Sequence, residues 1–371
     1  MHQQVSLKQK TTSVNKTARK KVLNAGVIGL GVGLSHIKGY RVHPQAEVVA
    51  IADKDEKRLR EIGKEYEILK QYTSALDMLK QEKLDIVSIA TPNCFHRDLT
   101  VAAFNAGCHV ICEKPMAMNA TEAREMLESS RRAGKRLMIN FSYRFSEQSR
   151  ALKTQVDQGT LGDIYFGRTI WHRRRGIPGF GGWFGKKETA GGGPLIDLGV
   201  HRLDLALWLM GYPKPEWVLS RTYNHIASRL AEKQNKEFDV EDLAAGFITF
   251  ENGASLEIEA SWAVNIGENE LMETRLFGTK GGLVQRNINE GYQFEAQIFV
   301  EKNGCQFDMK LHSPVPAADG PMYHFVDSIL NDTPHIATGE EGLIVMELLD
   351  ALYESSVKGE PVRLSEPDIS V

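Results

Sequence analysis

Cysteine is scarce in this chain. Four residues of 371, Cys94, Cys108, Cys112 and Cys305, form no CxxC pair, and no signal peptide precedes them. A reducing cytoplasm is the compartment such usage suits. Long apolar runs are missing too, and none approaches the roughly 20 residues that span a bilayer. Excess charge of either sign is absent. A net charge of −3 gives a field that favours neither nucleic acid nor an anionic membrane. Acidic residues are missing locally as well: residues 1–21 carry six Lys or Arg and no Asp or Glu. That segment has no apolar core, which argues against a secretion signal. It reads as a disordered, solvated tail or as an arm reaching a neighbouring subunit.

What the chain does have is apolar content, 42% of its residues, enough for two domains with separate cores. From Val22 to Tyr143, short apolar runs such as "AEVVAIAD", "LDIVSIATP" and "CHVICEKP" alternate with polar helical stretches. The runs are unbroken rather than alternating, as strands buried on both faces of a parallel sheet must be. In "NATEAREMLESSRRAGK", Asn119 and Glu122 make a helix start and Gly134 a stop. The expected fold class is α/β, with a doubly wound Rossmann sheet over 22–143.

Beyond residue 144 the texture changes to alternating segments, including "ASLEIEASW" and "METRLFGT", as antiparallel strands packed on one face require. "FITFENGASLEIEA" predicts a hairpin turning at Asn252-Gly253. Two helices are expected, over 321–331 and 339–357. The prediction for 144–371 is an α+β domain on an open, mostly antiparallel sheet. Such a sheet leaves a broad face to cover, so a homodimer or homotetramer pairing sheet faces is expected.

"VIGLGVGLSH" (27–36) follows the first strand and opens a helix. A dinucleotide fingerprint places glycines at its first, third and sixth positions. Gly29 and Gly31 comply, but the sixth position is Leu34, with Gly33 one residue early. A tight turn without ligand is the other reading of such a loop. Asp53, ending the second strand 24 residues after Gly29, stands where an acid accepts the adenosine ribose hydroxyls. It also suits a helix N-cap. An acid there repels a 2′-phosphate, which favours NAD over NADP. Lys54, Lys57 and Arg58 keep NADP open.

"GGGPLIDLGVHRLDLALWLMG" (191–211) predicts one helix of about four turns, from Pro194 to the stop at Gly211. Asp197, His201, Asp204 and Trp208 then share a face that is otherwise apolar apart from Arg202. One His between two Asp is either a satisfied half-buried histidine or an acid–base site whose ring a carboxylate orients. No third ligand stands at a matching spacing, so no metal is expected. In "VICEKPMAM" (110–118), a buried strand ends on what reads as a Glu113–Lys114 ion pair held by Pro115. At a strand's carboxyl end, Lys114 would face the nicotinamide and donate to a substrate oxygen. The bland alternative is a surface strand end.

Taken in order, the glycine loop with its acid, "EKP" and "GGGPLIDLGVHRLD" resemble the glucose–fructose oxidoreductase / inositol dehydrogenase / MocA family from Val22 onward. The resemblance implies an NAD(P)-dependent oxidoreductase acting on a secondary hydroxyl of a sugar, glycoside (at C3, for example) or cyclitol. It implies catalytic Lys114 and His201, with Asp197 binding substrate and supporting the His. Thr91, Pro92, Asn93, His96 and Glu113 match positions lining the dinucleotide. Tyr143 and His172 match substrate contacts, and Arg174 falls beside His172. A cis Lys114–Pro115 bond is also implied. The stretch 173–190, "RRRGIPGFGGWFGKKETA", departs from the family. There Arg side chains would bind hydroxyls or a carboxylate and Trp183 would stack on a sugar ring, or the loop is an interface. Rival functions are an NAD-dependent glycosidase working by transient C3 oxidation and a non-catalytic sugar or cofactor sensor.

Overall fold

The computed structural model describes residues 21–312 and 319–364; the basic segment 1–21 lies, but for Lys21, outside them. Six short strands form one sheet: β1 (Leu23–Ile28), β2 (Ala46–Ala52), β3 (Lys70–Tyr72), β4 (Ile86–Ile89), β5 (His109–Cys112) and β6 (Leu137–Ile139). All pairs are parallel, in the order β3-β2-β1-β4-β5-β6. The order reverses beside β1, so a crevice opens beyond the carboxyl ends of β1 and β4. Val27, Val87, Val110 and Ile111 are fully buried, as strands covered on both faces must be.

The second sheet has nine strands: β7 (Ile164–Arg173), β8 (Pro215–Tyr223), β9 (Leu243–Phe250), β10 (Ser255–Ser261), β11 (Glu270–Gly278), β12 (Gly281–Ile288), β13 (Gln293–Lys302), β14 (Cys305–Lys310) and β15 (Val362–Arg363). Their order is β14-β13-β12-β11-β7-β10-β9-β8-β15, antiparallel except for β7 against β10. The expected hairpin joins β9 to β10, with Gly253 at φ +83°, the left-handed turn position only glycine fills without strain. The late helices run Pro321–Leu330 and Gly339–Lys358. They return to the first sheet, where Ile139 N donates to Ala337 O and Met138 bridges Thr338. Among the described residues, no helix is long and apolar enough to cross a membrane.

One element departs from expectation. The segment after Pro194 is not a continuous α-helix: Leu195–Gly199 forms a π turn and Val200–Met210 the α-helix, closed by Gly211 in the left-handed region. The wider i→i+5 turn breaks the even stripe, so Asp197 and His201 do not keep helical i, i+4 register. Asp204 and Trp208 turn away from the crevice. Asp204 is buried against Arg144 and Tyr212, and Trp208 lies under the same guanidinium.

Candidate active site

The glycine loop lies at the crevice and its packing explains the displaced glycine. A Cβ on Gly29 would meet Ala90 O at 2.4 Å, and its φ of +85° is left-handed. Gly33 approaches β1 so closely that a Cβ would sit 2.9 Å from Val27 Cγ1, the close helix–strand packing the fingerprint's last glycine provides. Leu34 packs into the core beside it. Nothing lies within 4 Å of a Cβ position on Gly31, and no side chain caps the helix Gly33–Val42. An open cradle at a helix N-terminus with free N–H groups fits a pyrophosphate. Asp53 Oδ2 accepts from Leu30 N at 2.7 Å, and Oδ1 from Asp55 N at 2.8 Å. Asp53 therefore braces the loop, while the cap of the next helix is Asp55. Its carboxylate retains lone pairs for ribose hydroxyls.

The loop after β4 closes the other side. Thr91 Oγ1 is buried without a hydrogen-bond partner, an orphan beside the crevice. Pro92 leads into the short turn of Asn93, whose Nδ2 donates to Ala190 O at 2.8 Å and ties this loop to the end of the 173–190 stretch. His96 is buried with its ring nitrogens at Pro115 O (2.8 Å) and Thr91 O (2.9 Å). It locks two strand-end loops together, which leaves neither nitrogen for a cofactor.

Glu113 and Lys114 form no side-chain ion pair; only the Lys114 N–H donates to Glu113 Oε2, at 3.3 Å. Glu113 turns inward, where Oε1 meets His36 Nε2 at 2.8 Å and accepts from Asn140 Nδ2 at 2.6 Å. Burial would raise its carboxyl, but these bonds, the His36 charge and nearby Lys114 outweigh it and hold the group below the usual range. Glu113 thus anchors the strand ends from beneath, its Oε1 committed to His36 and Asn140. Lys114, beyond a cis bond to Pro115, points the opposite way. Its Nζ donates to Asp197 Oδ1 at 2.9 Å and to Asp197 O at 3.1 Å. The lysine of the first sheet thereby reaches the π turn of the second half.

Asp197 was expected to support His201, and it does not. Its Oδ2 accepts from Trp262 Nε1 at 3.1 Å while Oδ1 holds Lys114. His201 is half-buried between rings, with centroids 5.1 Å from Tyr143 and 5.5 Å from Trp171, and its Nδ1 is buried without a partner. Burial, then the cations of Lys114, Arg202 and Arg173, push its pKa well below the ordinary histidine value. The imidazole is therefore neutral at neutral pH, with an unprotonated ring nitrogen. Tyr143, next to it, is pushed up to about 12 by burial, against the pull of Arg202.

Strand alternation corrects one expected substrate contact. On β7, Thr169 bonds Arg202 O, Trp171 lies against His201, and Arg173 covers Trp171, so odd positions face the helix. His172 therefore faces the opposite side of the sheet, 3.2 Å from Glu259 Oε2. Arg174, just past the strand, is exposed and its side chain has no partner among the described residues. Arg173 takes the inner position and donates to Glu270 (2.8 Å) and Tyr292 (2.7 Å). Trp183 stacks on Phe184 at 3.8 Å, and Phe184 meets Trp262 edge-on at 6.4 Å. Trp183 is thus held two rings away from Asp197.

Several site residues carried no sequence signal. Trp262, Arg202 and Asn140 look like ordinary strand, helix and strand-end residues. Glu241 receives Gly193 N, Leu195 N and the Tyr353 hydroxyl, shaping the turn that presents Asp197. Trp171 could have been found, since alternation allows only one of two faces to line the site, the face it shares with Arg173 of the arginine run. Among the described residues, no group of three His, Cys, Asp or Glu is placed to hold a metal ion.

Comparison with known proteins agrees with this architecture. Residues 23–141 match the family model described as "Oxidoreductase family, NAD-binding Rossmann fold", and 153–364 its "C-terminal alpha/beta domain". A D-glucoside 3-dehydrogenase of Escherichia coli (strain K12) is 34% identical over 364 residues, covering 96% of this chain and 100% of the relative. A myo-inositol 2-dehydrogenase of Thermotoga maritima is 26% identical, covering 93% and 99%. The solved levoglucosan dehydrogenase in complex with NADH superposes with a TM-score of 0.83 at 23% identity, covering 94% and 100%.

Proposed function

The chain belongs to the glucose–fructose oxidoreductase / inositol dehydrogenase / MocA family of NAD-binding oxidoreductases, and from that premise we propose that it oxidises the C3 hydroxyl of a glucoside. The observation that carries this reading is that Lys114, braced by Asp197, lies near enough to His201 for its charge to help hold that imidazole, whose Nδ1 has no partner, in the neutral form. The relative named a D-glucoside 3-dehydrogenase supports the choice of carbon.

In this reading His201 takes the hydroxyl proton. Lys114 donates to the same oxygen and stabilises the alkoxide charge it gains as the proton leaves, charge that forms the carbonyl as hydride departs. Asp197 orients the ammonium, and Trp262 orients Asp197. NAD, when bound, supplies the acceptor for the hydride that leaves the carbon. Gly29, Gly31 and Gly33 would hold its pyrophosphate and Asp53 its ribose.

The test is incubation with NAD and methyl glucoside, following NADH absorbance and identifying the product by NMR. A 3-keto glucoside with stoichiometric NADH is expected; net hydrolysis without NADH accumulation, or no turnover of any glucoside, defeats the reading. Asp53 gives a second check. NADH should bind more tightly than NADPH by fluorescence titration, and Asp53→Ser should narrow the difference by about tenfold or more, because a charged acceptor is lost. Equal binding of both cofactors by the unaltered protein would remove Asp53 from this role.

A further inference from the structure

Beside His201 lies a cavity that the proposed chemistry does not use. It measures about 720 Å³ and is bounded by the segment Ser142–Gln148, the β12–β13 turn and Pro321. Tyr143 forms the partition, lining the cavity while its ring meets His201 edge-on at 5.1 Å. Phe294 lies 5.6 Å from Tyr143, and Tyr292 stands beside it, 59% exposed, with its hydroxyl tied to Arg173 and Glu270. One wall is thus aromatic and held in place from behind.

The polar groups around these rings are uncommitted. The side chains of Glu147, Gln148 and Gln293 all line the cavity, and none makes a hydrogen bond or ion pair among the described residues. Ser146, by contrast, is used up capping the next helix. Ring faces with free amide and carboxylate groups suit a ligand with an apolar face and many hydroxyls. The hollow is open to solvent on one side and roomy enough for a sugar ring, and since Lys114, Asp197 and His201 do not line it, one pyranose poised at His201 would leave it empty.

We propose that this cavity receives a second sugar unit, so that the preferred substrate is a disaccharide whose terminal glucosyl ring is oxidised. The inference rests on the glucoside reading above. Tyr143 separates the two rings, Tyr292 or Phe294 stacks on the outer one, and Gln148 and Gln293 bond its hydroxyls.

The experiment compares kcat/KM for a glucosyl-glucose disaccharide, methyl glucoside and phenyl glucoside, in the unaltered protein and in Gln148→Ala/Gln293→Ala and Ile288→Trp. The unaltered protein should prefer the disaccharide to methyl glucoside, and each variant should lower that ratio by about tenfold, the effect of two lost hydrogen bonds or of a filled rim. An unchanged ratio in both variants overturns the proposal. A preference for phenyl glucoside that the variants abolish overturns the second sugar in favour of an aromatic aglycone. If no glucoside is oxidised, the functional reading has failed, and calorimetry of the disaccharide with the NAD-loaded protein judges the cavity by itself. Binding that Gln148→Ala/Gln293→Ala weakens supports the site, and absence of binding removes it.

Discussion

His201→Ala should lower kcat for glucoside oxidation by about 10²–10⁴-fold while NADH affinity stays close to that of the unaltered protein. The imidazole is the proton acceptor in this reading, and a methyl group leaves that proton with nowhere to go but water. Lys114→Ala should cost about 10²–10³-fold, because a donor aimed at the developing oxyanion is lost. Both residues serve one transition state, so the double variant should lose less than the product of the two effects.

The pH profile follows from the sign of the His201 shift. Only the neutral ring accepts a proton, so oxidation rises as His201 deprotonates. Burial and the Lys114, Arg202 and Arg173 cations move that step well below the ordinary value of about 6.5. The rate should therefore be level through neutrality and fall only in acid. Lys114→Ala removes one of those cations, so the acid limb of its residual activity should move upward. Turnover near the unaltered rate in either single variant would return His201 to the role of a half-buried structural histidine.

Arg144→Met should destabilise the fold by about 3–5 kcal/mol. Arg144 is fully buried, and Asp204 beneath it is 1% exposed. Its Nε lies 3.0 Å from Asp204 Oδ2, its Nη2 2.5 Å from Oδ1, and its Nη1 2.7 Å from Glu341 Oε2. The Tyr212 hydroxyl contacts the same guanidinium and donates to Asp204 Oδ1 at 2.9 Å. Removing the arginine strands a carboxylate in the interior, where neither water nor a cation reaches it. Three distant segments are joined here: the turn after β6, the helix that bears His201, and the start of Gly339–Lys358. Adding Asp204→Asn to Arg144→Met should recover a large part of the loss, since the uncompensated charge goes with it. Urea denaturation measures both, and a loss below about 1 kcal/mol for Arg144→Met would mean that water or rearrangement compensates Asp204.

The local features of this protein were legible in its sequence because each has a short-range cause. Unbroken Val and Ile runs specify strands buried on both faces, and Gly29 marks a left-handed turn. Lys114 follows a strand end by necessity, and Asn252-Gly253 turns a hairpin. These depend on neighbours within a few residues.

Tertiary packing decided the rest. Periodicity states that alternate residues of β7 share a face, yet only the helix laid across it selected Trp171 and Arg173 over His172. Glu113 stands next to Lys114, but found its partner in His36, 77 residues away, because burial rewards a satisfied carboxylate over an adjacent one. Asp197 lost its regular spacing to His201 when Leu195–Gly199 closed as a π turn, and the nearest donors became Lys114 and Trp262. The residue types capable of chemistry are written in the chain. Which of them face one another is settled by long-range contacts, whose partners no local pattern encodes.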